Sequence, residues 1–433
     1  MDSPLLIFRK GFASTSFGRA AQGRTLHHHD YIQGINILKP NKLQPSPSYT
    51  MNTTWRAEKF DAVLPIVSQA YSEFSEPSKI NIENFVGFVK VPVGLAGPLR
   101  IQGAERTDDE FFAPLATVEP TLVASCSRGC KALNQCGGVE FHVLDEGMSR
   151  APVFFFASLK EAVLFAGHVP GLHRQFAADA ERTSRYARLQ KLTPHIIGSN
   201  VHVKFDYFCG DAVGQNMATI ATQEACDRFL QTNAAKELGV KDFVIEGEMA
   251  SDKKASWGNV KEPRGVQVMA WGELSDSVCE EVLGCSTQRL YTVLTSIREG
   301  QVRNGQFGSN INTANVIAAM FIACGQDAGS VAEASWSHLT VDYDWETKQL
   351  KLSLFFPSLP VGVVGGGTNY MAQKASLELL KCRGPGMKRR LAGLIAAFAL
   401  ALDISTSAAI ANGTFTGSHK RLARGNTSVP PML

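Results

Sequence analysis

The chain has 433 residues, more than one ordinary domain holds, so it reads as one large domain with an insertion or as two to three units. Its 43 basic and 40 acidic residues leave a net charge of +3, which excludes a broad basic face for nucleic acid or acidic lipid. With 44% hydrophobic and 19% charged residues, the composition is that of a soluble globular protein with a substantial core.

In chain order, residues 1–50 read as a disordered tail, Pro/Ser-rich near its end. Arg9, Lys10, Arg19 and Arg24 against the single acid Asp2 leave an organelle presequence as the alternative to a cytoplasmic protein. Residues 51–82 form an N-terminal helical segment, with Val63, Ile66 and Tyr71 at helical spacing between Trp55 and Ser75. The stretch ENFVGFVKVPVGLAGPLRI (83–101) is broken by glycine and proline and predicts strands with tight turns. ATVEPTLVASCSRGCKALNQCGG, from Ala116, predicts a helix with Pro120 as its first residue and Gly137-Gly138 past its end. Nine cysteines include no Cys-x-x-Cys pair, and Cys126, Cys130 and Cys136 have no histidine nearby. No metal site is expected, and reduced thiols fit a cytosol-like compartment.

From Pro152 to Val244 the rhythm changes to a mixed βα pattern, an α/β insertion of about ninety residues. Val153–Ser158 is strand-like, a charged helix follows, VHVKFDY (201–207) alternates, and GDAVGQNM opens another helix. Beyond it, Val266–Trp271 reads as a strand, Thr313–Cys324 as a buried helix, and Leu350–Phe356 as a strand leading into GVVGGGTN. Two helices finish the fold. The apolar run Leu391–Leu402 is twelve residues, too short for a membrane span and suited to a buried helix. The expected fold class is α+β: a discontinuous large domain (83–151 and 245–424) around a long central helix, interrupted by a small domain (152–244) and followed by a tail (425–433).

Several stretches could carry chemistry. EGEMASDKKAS (246–256) is either a solvated loop or a loop presenting a catalytic cation. GVVGGGTN has Gly-x-x-Gly-Gly-Gly spacing, a poor match to the Rossmann fingerprint, but it suits a close backbone approach or a structural turn. The turn DAVG at the head of a helix exposes unpaired N–H groups, and Ser184-Arg185 upstream could reach a phosphate. The alternative is a capped helix and a solvated arginine. Glu119 has apolar and small neighbours and could be an acid with a raised pKa, or a plain helix-start carboxylate. Asp327 is a buried functional carboxylate or a helix-end residue, and His419 alone would be a surface histidine.

Taken together, ENFVGFVKVPVGLAGPL, ATVEPTLVASCSRGCKA, TSRYARLQKL, GDAVGQNM, SDKKASW, ANVIAAMFIACGQDA, GVVGGGTN and GSHKR resemble, in order, the eukaryotic-type catalytic portion of the 3-hydroxy-3-methylglutaryl-CoA (HMG-CoA) reductase family. The resemblance runs from about Ile80 to Arg424, and the family's membrane anchor has no counterpart, so no transmembrane segment is expected. It implies that the large domain binds acyl-CoA and that the small, ferredoxin-like domain binds NADPH. It implies a homo-oligomer, dimer or tetramer, with active sites at the subunit interface. The chemistry implied is two hydride transfers from NADPH to HMG-CoA, giving mevalonate and CoA. By motif, Lys253 would stabilise the oxyanion, Glu119 would donate the proton, Asp327 would tune both, and His419 would protonate the departing thiolate. Ser125, Arg150, Asp252, Lys254 and Asn315 would line the acyl pocket. Ser184, Arg185, Asp211, Val213, Gly214, Gln215 and Asn216 would bind NADPH, with Gly365 and Gly366 at its nicotinamide end.

The sequence departs from the family pattern in three places. Pro120 stands where glycine is usual, REGQVRNGQFG replaces a small-residue run so that a substrate-binding lysine falls at Thr295, and Glu246 and Glu248 replace neutral residues. The last two remove a cation and add anions near a pocket for a carboxylate, where one unit charge at about 4 Å is worth on the order of 4 kcal/mol at an effective dielectric of about 20. Three functions are compatible with this pattern: an HMG-CoA reductase, a reductase of a different acyl-CoA thioester, or a non-catalytic paralogue.

Overall fold

The structure, a computed structural model, describes residues 80, 82–85, 87–103 and 108–417. The helix expected between Trp55 and Ser75, and the tails 1–50 and 425–433, lie outside the described residues. The described residues before Val89 belong to a separate unit, in which the Phe85 and Phe88 rings meet edge to face at 5.5 Å. The unit from Val89 onward carries the sheet, the long helices and the candidate site.

Among the described residues, ten strands make one hydrogen-bonded system: β1 (Val93–Gln102), β2 (Asp109–Ala116), β3 (Val139–Arg150), β4 (Val153–Phe155), β5 (Arg188–Ile197), β6 (Asn200–Phe208), β7 (Asp242–Val244), β8 (Gly265–Leu274), β9 (His338–Tyr343) and β10 (Leu350–Leu359). The main path runs β7-β4-β6-β3-β8-β10-β9. Strand β3 is its hinge. Residues Glu140–Gly147 pair antiparallel with β8, and Met148–Arg150 pair antiparallel with β6. A separate hydrophobic core packs on each stretch of this path, one built from Ala96–Val143 and Val266–Ala411, the other from Met148–Val240.

Helices of eight or more residues, among those described, are α1 (Leu122–Gln135), α2 (Leu159–His168), α3 (His173–Ala180), α4 (Gln215–Leu230), α5 (Thr287–Arg303), α6 (Thr313–Ala323), α7 (Met371–Leu379) and α8 (Lys388–Ala411). The second core has the order β4-α2/α3-β5-β6-α4-β7, with β7, β4, β6 and β5 side by side and every neighbouring pair antiparallel. That is the ferredoxin-like arrangement. Its interior is aromatic: Phe176 lies 4.8 Å from Phe229 and 5.1 Å from Phe205, and Phe154 lies 5.1 Å from Phe165. Ser158 and Glu161 close a reciprocal capping box at the start of α2.

The first core is organised by α8. By length and composition this helix could cross a bilayer, yet 94% of its apolar window is buried within the protein. Small residues let neighbours approach its backbone. A Cβ on Gly129 of α1 would stand 1.8 Å from the Ala401 carbonyl oxygen, and one on Gly393 would stand 2.2 Å from the Phe141 ring. Helix α8 is therefore clamped between α1 and the sheet.

Two local expectations need correction. Pro120 is not the first residue of α1: Thr121, with φ +80°, is its N-cap, and the helix begins at Leu122. The strand expected over Val153–Ser158 stops at Phe155, because Ser158 is committed to capping α2.

Gly129→Ala should be destabilising by at least about 1–3 kcal/mol, because neither helix backbone can yield to the new methyl. Gly167→Ala in α2, which meets nothing within 4 Å, should instead be neutral or stabilising by up to about 1 kcal/mol. Denaturant unfolding of the two variants beside the parent checks the contrast.

Candidate active site

The loop between β7 and β8 turns through three non-glycine residues in the left-handed region, Glu248 (φ 67°), Ser251 (φ 54°) and Lys253 (φ 59°). Such conformations cost energy unless their surroundings enforce them. Gly247 pins one end: its N–H donates to the Ala151 carbonyl at 2.8 Å, and a Cβ there would strike Val153 at 2.1 Å. The other end rests on Arg264, whose side chain is fully buried. Its Nη1 donates to both Glu333 oxygens at 2.9 and 2.7 Å, and its Nη2 lies 2.6 Å from Asp252 Oδ1, a charge contact outside hydrogen-bond alignment. Burial pushes the Glu333 carboxyl up, against the opposing pull of the Arg264 guanidinium. Glu262, two residues before Arg264, is tied to the small sheet by Lys191 and by buried Lys204; despite its burial, these lysines bring its carboxyl down to about 2.

On this support, Lys253 Nζ reaches Asp327 Oδ2 at 3.0 Å, with both side chains partly exposed. Asp327 also accepts the Gly329 N–H at 2.9 Å and caps the short turn after it. Burial alone would raise its carboxyl, but the Lys253 ammonium, the Gly329 amide and the Ser330 hydroxyl outweigh it and hold the group below the usual range. Ser330 Oγ accepts from Gln215 Nε2 at 3.3 Å, which joins this turn to the first residue of α4.

Arg150 closes the other side. Its Nε donates to Thr219 Oγ1 at 2.7 Å, and its Nη1 lies 3.1 Å from both Glu246 and Asp252. Lys254 pairs with Glu248 at 2.7 Å on the surface. The two glutamates singled out as departures thus face neither open solvent alone nor an empty pocket. Glu246 shares Arg150 with Asp252, and Glu248 pairs with Lys254.

The nominated cofactor residues cluster around the α4 N-terminus. Gly214 is its N-cap at φ 95°, and a Cβ there would strike Cys209 at 2.5 Å. Ser184 Oγ lies 3.5 Å from Met217 Sδ and accepts the Tyr186 N–H at 3.1 Å. Arg185 is exposed, its guanidinium 5.0 Å from the Tyr186 ring centroid. The Asp211 carbonyl accepts the Val363 N–H at 2.9 Å, and a Cβ on Gly362 would stand 2.5 Å from Val213 N, so the glycine-rich segment abuts the DAVG turn. The Asp211 carboxylate accepts the Lys388 N–H at 3.4 Å at the head of α8. Asn216, Gly365 and Gly366 are exposed, and neither glycine has an atom within 4 Å of its Cβ position.

Other nominated residues stand apart. Glu119 is exposed, not enclosed by apolar neighbours, and Val118 beside it is 83% exposed; among the described residues the Glu119 carboxylate has no hydrogen-bond or ion-pair partner. Asp327 therefore touches Lys253 but not Glu119. Ser125 bonds Ser405 at 2.9 Å across the α1–α8 contact, and half-buried Asn315 lies in the first turn of α6. Thr295 is half-buried on α5, its hydroxyl without a partner among the described residues. His419 lies outside the described residues.

Sequence reasoning missed Arg264, Glu333, Thr219 and Asp403. Asp403 is fully buried in α8, where its oxygens accept the Ile311 N–H at 3.0 Å and the Asn312 N–H at 2.9 Å. It thereby fixes the loop that enters α6 and places Asn315.

Fold and site define a two-core α+β protein with a lysine–aspartate centre next to a helix N-terminus and a glycine-lined turn. The chain belongs to the hydroxymethylglutaryl-coenzyme A reductase family, whose model matches residues 54–424. It is 35% identical over 350 residues to a 3-hydroxy-3-methylglutaryl-coenzyme A reductase of Methanocaldococcus jannaschii, covering 80% of this chain and 85% of that one. The enzyme of the same name from Aeropyrum pernix is 37% identical over 374 residues, with 85% and 87% covered. A solved class II 3-hydroxy-3-methylglutaryl-CoA reductase from Streptococcus pneumoniae, bound to NADPH in open conformations, has the same fold at a TM-score of 0.61 and 17% identity, covering 80% of this chain and 89% of that one.

Burial raises Asp403 from 3.8 to about 7, even though two amides oppose the shift. Its folded-state pKa lies above its unfolded value, so its contribution to stability is fully present below about pH 3.8 and is lost as pH rises to about 7. Unfolding free energies of the parent and Asp403→Asn, measured from about pH 4 to about pH 8, should differ by a term that falls with rising pH and levels off above the folded-state pKa.

Proposed function

We propose that this chain is an NADPH-dependent reductase that converts HMG-CoA to mevalonate and free CoA by two successive hydride transfers, a step of isoprenoid and sterol precursor synthesis. The observation that carries it is the Lys253–Asp327 pair at 3.0 Å, in a member of this family, set beside the α4 N-terminus. The residues around that N-terminus fit a dinucleotide. Gly365 and Gly366 present exposed backbone with open space at their Cβ positions, the first α4 amides are available to phosphate, and exposed Arg185 can take the 2′-phosphate. NADPH, when bound, supplies the hydride for each reduction.

Lys253 is the cation for the oxyanion that develops on the acyl carbonyl. Asp327 pairs with the lysine ammonium and fixes its direction. Glu119 donates the proton to that oxygen, and His419 protonates the CoA thiolate. The acyl-CoA is held by residues 83–151 and 245–424, with Ser125, Arg150, Asp252, Lys254 and Asn315 lining the acyl pocket. The cofactor is held by 152–244, through Ser184, Arg185, Asp211, Val213, Gly214, Gln215 and Asn216. The exposure of Glu119 and Val118 supports a homo-oligomer whose subunit boundary completes the site. Nine unpaired cysteines support a cytoplasmic setting.

A second reading, reduction of a different acyl-CoA, is favoured by Glu246 on Arg150 and Glu248 on Lys254. An acyl group bearing a free carboxylate must displace those glutamates, whereas a neutral acyl group need not.

Purified protein should oxidise NADPH with HMG-CoA, and Lys253→Ala should lower kcat by about 10²–10³-fold. Turnover with another acyl-CoA but not with HMG-CoA would establish the second reading, and no turnover with any thioester would overturn both in favour of a non-catalytic paralogue. Glu246→Gln/Glu248→Gln, which frees Lys254 and leaves Arg150 with Asp252 as its one remaining carboxylate partner, should lower the KM for HMG-CoA by roughly tenfold or more, as expected for a charge-assisted contact of about 1.5–3 kcal/mol. The KM for an acyl-CoA without a distal carboxylate should not change.

A further inference from the structure

Lys253 is a lysine held in a backbone conformation that L-residues avoid, at φ 59°. The contacts that enforce it converge on one ion pair. Glu333 Oε2 accepts the Lys253 N–H at 2.9 Å and an Arg264 Nη1 hydrogen at 2.7 Å. Arg264 Nη2 meets the carboxylate of the preceding residue, Asp252, at 2.6 Å. The pair has no solvent exposure, so both members are fixed in direction as well as in charge.

Its other attachments lead into the core. The Arg264 N–H donates to Ser358 Oγ at 3.2 Å, and the Ser358 hydroxyl donates back to the Arg264 carbonyl at 2.6 Å, which locks Arg264 to β10. Glu333 lies six residues after Asp327, in the short helix Val331–Ala334 beyond the Asp327 turn. Both halves of the Lys253–Asp327 pair therefore hang from the same support: Lys253 by its amide, Asp327 through a short, hydrogen-bonded stretch of chain.

We propose that Arg264 and Glu333 are positioning residues for the reduction, setting the backbone at Lys253 so that its ammonium meets Asp327 and the reacting carbonyl oxygen together. Neither residue touches substrate. The inference rests on the reading of Lys253 as the oxyanion-stabilising cation. It separates from a purely structural role because a buried ion pair can be exchanged for apolar side chains with little loss of stability, whereas the Lys253 amide then loses its acceptor.

The test compares two double variants of the full chain, Arg264→Met/Glu333→Gln and Arg264→Met/Glu333→Leu. Both delete the buried charges, and only the first keeps an oxygen for the Lys253 N–H. The Leu variant should have a kcat about 10²-fold below the Gln variant, the loss expected when a reacting group is misplaced by about 1 Å. The KM for NADPH should be the same in both. Equal kcat values would overturn the proposal. Crystal structures of the two variants read the same comparison without turnover: the Lys253–Asp327 contact should persist with glutamine and open with leucine, and its survival in both would also overturn it. If neither double variant folds, Ser358→Ala carries the test, because it loosens Arg264 from β10 with every charge in place. It should lower kcat without changing the KM for NADPH, and an unchanged kcat counts against the proposal. Parental turnover in Lys253→Ala would instead remove the reading of Lys253 itself, an outcome distinct from equality of the two double variants.

Discussion

A guanidinium with no access to water must be compensated inside the protein, and Arg264 imposes that requirement on everything around it. An unpaired charge at such a site costs several kcal/mol even after relaxation. Two carboxylates meet the requirement, Glu333 from the chain after α6 and Asp252 from the loop before β8. Each carries a neighbour with it. Asp252 brings Arg150 and Glu246, and Glu333 brings the Lys253 amide. Segments far apart in sequence are thus forced to meet at one point, and the candidate centre stands on their meeting.

The same point lies where the two cores meet. Strand β3 leaves the large sheet at Gly147 and enters the small one at Met148, and Arg150 is its last residue. The loop from β7 returns the chain to β8 beside it. A site built here draws residues from both cores, and the contacts Gln215–Ser330, Asp211–Val363 and Lys204–Glu262 are among the crossings.

How much of this was legible in the sequence depended on whether the signal was local. The alternation in LKLSLFF and the apolar run in α8 announce buried elements, because their spacing records which face meets the core. SDKKAS and GQDA mark Lys253 and Asp327 as candidates through a family pattern, and the structure brings the two side chains together. Arg264 was invisible: an arginine between proline and glycine before a strand reads as surface, and its partner Glu333 is 69 residues away. Asp403 was hidden for the same reason, since its two amide partners lie about 90 residues earlier. Pro120 misled because a residue suited to a helix start can equally sit just outside one, and here Thr121 takes the capping position in a left-handed conformation. The surroundings of Glu119 were not legible, because apolar neighbours in sequence do not enclose a side chain in space.

Helix α8 has a further consequence for how the chain is made. By length and composition its 24 residues could cross a bilayer, and in the structure 94% of the apolar window is covered by protein. Those surroundings, α1, β3, β8, β10 and α6, all precede α8 in the chain. During synthesis this apolar segment leaves the ribosome only after its covering has been made, and Gly129 of α1 shapes the slot that receives it. Chain order thus shortens the interval in which this helix is exposed, a safeguard against mistargeting and aggregation that a circular permutant with α8 placed first would forfeit.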